Sequence, residues 1–202
     1  VVDALILDMD GVVRHWDPDH FRTTVEALGL TREQFGSVAF EERLLGSAMT
    51  GAISAEQWAD EIGKRIGERH GSDPVAVASA FTALGWSIDD EVVDLVREVR
   101  AAGKAKVALF SNASTRLEAD LETCGLDGAF DVVFNSARLG LAKPDPQAFL
   151  AVARALDTAP ERCLFVDDTT VNVEGAREAG MQAEAFTDQQ ALRSLLDRAG
   201  LL

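Results

Sequence analysis

Short apolar runs that stop abruptly at polar residues constrain this chain more than any other feature. Leu5-Ile6-Leu7 stops at Asp8-Met9-Asp10-Gly11, Val107-Ala108-Leu109-Phe110 at Ser111-Asn112, and Cys163-Leu164-Phe165-Val166 at Asp167-Asp168. Asp131-Val132-Val133-Phe134 leads a further run, and the stretch 182–186 a last one. Apolar runs without alternation are buried on both faces, as in the central strands of a parallel sheet. Helix-like stretches separate them, near 115–124, after Pro146, before Gly180, and near 189–199. Repeated strand–helix–strand units predict an α/β fold, a Rossmann-like doubly wound parallel sheet with helices on both faces.

The segment between the first two runs reads differently, with helix signals and no convincing strand. Asp17-Pro18 offers an N-cap followed by proline at the first helical position. Thr31-Arg32-Glu33-Gln34 and Ser54-Ala55-Glu56-Gln57 both fit the capping box. Trp58, Ile62 and Ile66 recur at helical spacing before Gly71, and Asp73-Pro74 starts another helix. We therefore expect an all-helical insertion over residues 17–87 and an α/β core made of residues 1–16 and 88–202. Asp89 then opens a core helix carrying Val92, Val96 and Val99. Trp16 and Trp86 fall at the two crossings, where hinge packing is the commoner use and a substrate cleft the other.

The 202 residues suit one core with one sizeable insertion, and 47% hydrophobic content suffices to bury it. The formal net charge is -15, from 34 acidic and 19 basic residues. Such a surface repels nucleic acid and anionic membranes, so neither is an expected partner. It also repels phosphate esters, so a phosphate site here must supply local positive charge. Cys124 and Cys163 lie in apolar stretches without metal-ligand spacing, as reduced buried thiols would. The apolar start lacks a basic n-region and a small-residue cleavage site, and no run reaches transmembrane length. A cytoplasmic location is the expectation.

Ligands of open parallel sheets bind at the carboxyl ends of the strands. Those ends bring Asp8, Asp10, Ser111, Asn112, Asp167 and Asp168 to one edge, with Lys143-Pro144 in a loop nearby. A carboxylate can act as a nucleophile, and a second one as general acid and base. Lysine offers a point charge to an anion. Adjacent acids suit magnesium, which takes few carboxylates and keeps its waters. Each residue also has an ordinary reading: turn aspartates, a serine or acids capping a following helix, a surface lysine. Adjacent strand residues point oppositely, so spacing alone leaves open which of Asp167 and Asp168 would touch a metal.

The order Asp8-x-Asp10-Gly11, Ser111-Asn112, Lys143-Pro144, Asp167-Asp168 resembles the haloacid dehalogenase superfamily, in the branch with a small helical cap between the first two motifs. Thr50-Gly51-Ala52-Ile53-Ser54 is similar to a stretch seen in such caps. The resemblance implies a magnesium-dependent phosphatase acting on a small phosphorylated molecule. In it Asp8 is the nucleophile and Asp10 the general acid and base. Gly11, Ser111, Asn112 and Lys143 bind the phosphoryl group. Asp8, Asp168 and the backbone carbonyl of Asp10 ligate the metal, and Asp167 holds its water; Asn172 either supports this set or is solvated. A phosphomutase, a haloacid dehalogenase and a non-enzymatic phosphoacceptor module are the competing readings.

Overall fold

The computed structural model describes residues 1–202. Strand β1 (Ala4–Leu7) leads through a turn to β2 (Arg14–Trp16). Five helices follow: α1 (Pro18–Ala27), α2 (Arg32–Ala39), α3 (Glu42–Met49), α4 (Ala55–His70) and α5 (Pro74–Thr82). The chain returns through β3 (Trp86–Ile88) and α6 (Asp90–Ala102) to β4 (Lys106–Ser111). After α7 (Leu117–Thr123) come β5 (Val132–Asn135), the short α8 (Ser136–Leu139) and α9 (Pro146–Ala155). Then β6 (Cys163–Asp167), α10 (Thr170–Glu178), β7 (Gln182–Ala185) and α11 (Gln189–Arg198) complete it.

The main sheet is parallel, in the order β5-β4-β1-β6-β7. The chain builds outward from β1 on one side, then crosses to the other, so the order reverses at β1 and opens a crevice at its carboxyl end. Burial on both faces explains the uninterrupted apolar runs. Leu5 and Leu7 face α6, α7 and α11, packing with Val96, Leu121 and Leu192. Ala4 and Ile6 face α9 and α10, packing with Phe149, Val152 and Val173. The period of two along a strand accounts for this division.

Helices α1–α5 enclose a core of their own around Val25, Phe35, Trp58, Ile62, Ile66 and Val77. Both capping boxes form, at Thr31 with Gln34 and at Ser54 with Gln57. Gly71 ends α4 in the left-handed conformation. Several short elements escape sequence reading, among them β2, α3, β3 and α8. Helix α3 starts at Glu41, which makes no side-chain cap, so no polar signal announces it. Strand β3 pairs antiparallel with β2, Trp16 opposite Trp86, and straddles the expected boundary after residue 87. Three residues are too few to show alternation, and the pairing partner lies far upstream. Both cysteines are free. No helix is long and apolar enough to cross a membrane.

Candidate active site

The turn after β1 is fixed by the Met9 carbonyl, which accepts from the N–H groups of Val12, Val13 and Arg14. Asp8 donates its own N–H to Val166 of β6 at 2.9 Å, which fixes the strand tip. Gly11 has φ +89°, and a Cβ there would fall 2.1 Å from Asp168 Oδ2. Glycine is thus required twice, for the turn and for the Asp168 carboxylate that lies against it.

Lys143 reaches into the centre of the crevice. Its Nζ lies 2.7 Å from Asp8 Oδ1 and 2.6 Å from Asp167 Oδ2. Phe110 and Phe165 line the ammonium, with centroids at 5.4 and 5.3 Å. The Asn112 amide fixes the loop, donating to the Lys143 carbonyl and accepting from its N–H, both at 2.8 Å. Asp167 is fully buried and also accepts from the Thr169 N–H at 2.8 Å and from Asn172 Nδ2 at 3.1 Å. Asp8 and Asp167 together exceed the charge of Lys143. Burial, and then the charge of Asp167, push the Asp8 carboxyl up to about 7 against the opposing pull of Lys143.

Carboxylate oxygens of Asp8, Asp167 and Asp168 lie within 4.8 Å of one another. This set fits a magnesium ion: the donors are hard oxygens and the cluster carries excess negative charge. Asp167 has both oxygens committed to Lys143, Thr169 and Asn172, whereas Asp168 is exposed on the crevice side. Ser111 is buried at the end of β4 and lines the same pocket of about 420 Å³ as Asp8, Gly11 and Asn172.

Two side chains are engaged in ways the sequence does not display. The Lys143 backbone takes both ends of the Asn112 side-chain amide, at the rim of the acidic pocket. The Asp10 carboxylate is held by Arg14, with Nε at 2.6 Å and Nη2 at 2.9 Å. Sequence reasoning missed Arg14 altogether. Its only signal is a basic residue four positions after an acid, which outside a helix carries no weight. Arg14 is buried between Trp16 and Trp86, at 5.0 and 5.7 Å from their rings. Its Nη1 has no hydrogen-bond partner, the nearest acid being Asp120 at 3.6 Å. Asn172 is half-buried and supports Asp167, its Nδ2 donating to the Asp167 carboxylate at 3.1 Å. Trp16 and Trp86 pack the crossings and also line a second cavity beside the acidic pocket.

Residues 2–180 match the family model of the haloacid dehalogenase-like hydrolases. The chain is 29% identical to Phosphatase MT3486 of Mycobacterium tuberculosis, across 98% of this chain and 99% of that one. Its fold is similar to a HAD family enzyme of Bacteroides thetaiotaomicron in complex with magnesium and inorganic phosphate. That likeness has a TM-score of 0.75 at 20% identity and covers 95% and 99% of the two chains. It is also similar to a 2-haloacid dehalogenase of Pseudomonas syringae pv. Tomato DC3000, with a TM-score of 0.67 at 19% identity over 98% and 99%. At such identities the structural likeness speaks for the fold alone.

Proposed function

The chain belongs to the haloacid dehalogenase-like hydrolases, and from that membership we propose that it is a magnesium-dependent phosphatase working through a covalent phosphoryl–Asp8 intermediate. The observation that carries this reading is the buried Asp8 carboxylate, with one oxygen on Lys143 and two further acids beside it. The name of the Mycobacterium tuberculosis relative supports a phosphatase over the other chemistries of the fold.

An Asp8 oxygen attacks phosphorus as the bond to the leaving alcohol breaks, and Asp10, entering this step protonated, gives its proton to the leaving alcohol's oxygen. A water then attacks the same phosphorus, Asp10 takes up the proton, and the bond to Asp8 breaks. Lys143 and Ser111 bind the phosphoryl oxygens, which places the local positive charge where an acidic molecule needs it. Arg14 acts before either step: its bidentate grip orients Asp10. Asp8, Asp168 and the Asp10 carbonyl would hold magnesium, with Asp167 and Asn172 behind them. The ion supplies positive charge against a phosphate dianion. Residues 17–87 form the cap in this reading, over a core of residues 1–16 and 88–202.

A haloacid dehalogenase would need neither an acid at position 10 nor a metal-binding pair, and both are present here. The partner expected is a small phosphorylated molecule in the cytoplasm. The test is phosphate release from acetyl phosphate, with magnesium and then with excess chelator. Turnover should vanish on chelation, return with magnesium, and fall by roughly 10³-fold or more in Asp8→Asn. Undiminished turnover in chelator would overturn the metal requirement, and an active Asp8→Asn the nucleophile.

A further inference from the structure

A cavity of about 510 Å³ lies between helices α1–α5 and the sheet edge. All three tryptophans of the chain line it, together with Phe21, Phe40 and Phe81. Trp58 and Phe81 pack on each other at 4.8 Å, Phe21 packs on Phe35, and Trp16 and Trp86 flank Arg14, yet two of the six keep a large exposed face. Trp16 and Phe40 each remain 49% exposed at the cavity. Aromatic surface left wet in this way gains from being covered by an apolar body. Asp10, Trp16 and Asn112 line both this cavity and the acidic pocket. The cavity therefore begins beside the acid that would protonate a leaving alcohol.

Its polar groups argue against a charged or polyhydroxylated occupant. The lining carries three arginines, Arg14, Arg32 and Arg116, and three aspartates, Asp10, Asp17 and Asp120, so its formal charge sums to zero and offers no net positive charge to a second phosphate or a carboxylate. Only one buried side-chain donor in the molecule lacks a partner, Arg14 Nη1. A sugar would bring several hydroxyls against a lining whose larger part is aromatic and aliphatic, and each hydroxyl left facing that part carries a desolvation cost. A volume of this size accepts a drug-sized body.

Resting on the phosphatase reading above, we infer that the substrate is the monophosphate of a bulky, predominantly apolar alcohol, not a sugar phosphate or a small hydroxy-acid phosphate. The test compares octyl phosphate and 2-(2-naphthyl)ethyl phosphate with glucose 6-phosphate, using acetyl phosphate as a reference too small to enter the cavity. The first three are primary alkyl esters, so their intrinsic reactivities match. At least one apolar ester should exceed glucose 6-phosphate in kcat/KM by about 100-fold. Preference between the two reports whether the cavity takes a flexible or a flat body. Phe40→Ser should lower the ratio of apolar ester to acetyl phosphate by about tenfold, and Phe40→Leu should largely restore it. The ratio cancels any loss of folded protein. If acetyl phosphate is turned over while glucose 6-phosphate equals or exceeds both apolar esters, the inference fails and the phosphatase reading stands. An unchanged ratio in Phe40→Ser also overturns it. Absence of acetyl phosphate turnover removes the phosphatase reading, and the inference with it.

Discussion

Asp8 is an acid held where its charge is costly. Burial and the neighbouring Asp167 push its carboxyl up from the model-compound value of 3.8 to about 7, so the folded state holds this proton more tightly than the unfolded chain. That preference stabilises the fold fully below about pH 4 and is lost as pH rises through about 7. In metal-free protein at pH 8, Asp8→Asn should therefore be more stable than the parent, by up to about 4 kcal/mol. The difference should shrink as pH falls from about 7 and vanish only below about pH 4, where the carboxyl becomes neutral in both states. Thermal melts in chelator across that range check it, and a pH-independent difference would contradict the burial argument. The same site shows what a sequence displays and what it conceals. Asp8, Lys143, Asp167 and Asp168 are legible because each follows an apolar run or a loop bound for one sheet edge. The direction of a side chain is not: Asn112 turns to a backbone 31 residues away, and Arg14 closes on Asp10 across a turn.

At the scale of elements, long segments with polar punctuation were readable and short ones were not. Capping boxes announce α2 and α4, and apolar runs announce the strands of the sheet. Helix α3 has no cap, and the ribbon of β2 and β3 depends on a partner remote in sequence. The loop 50–54 shows why a glycine was needed in the insertion. Gly51 has φ +72°, and a Cβ there would lie 2.1 Å from the Ala137 carbonyl oxygen at α8. Four residues on, the Ala55 N–H donates to Thr115 Oγ1 of the core at 3.0 Å. This is where the insertion sits down on the sheet domain. Gly51→Ala should lift that seat and cost about 1–2 kcal/mol, because it adds a backbone clash to a strained φ. Hydrogen exchange should show faster exchange at Ala55, while the amides of β1 and β4 keep their protection. Unchanged exchange at Ala55 would show that the contact does not hold the insertion in place.

For the whole molecule, the net charge of -15 sets the approach of any phosphate dianion. Lys143 and a metal act only at short range, so the long-range field opposes capture. Raising ionic strength from about 0.02 to 0.15 M at fixed magnesium should increase kcat/KM by roughly two- to fivefold. A decrease would point to a local positive funnel that outweighs the surface. The route by which the insertion joins the core has a consequence of another kind. Both crossings run side by side as β2 and β3, and their pairing is extended by hydrogen bonds from Asp17 to Gly85 at 3.0 Å and from Asp89 to Val13 at 2.9 Å. The five helices are thus tied to the core through one paired strap and not through two separate linkers. Arg14 is part of that strap, Trp16 is both strap and cavity wall, and Asp10 hangs from Arg14. On the proposed phosphatase reading, any shift of that strap would carry the proton donor and the cavity wall together, so that the seat of the substrate and the posture of Asp10 would be geared to each other.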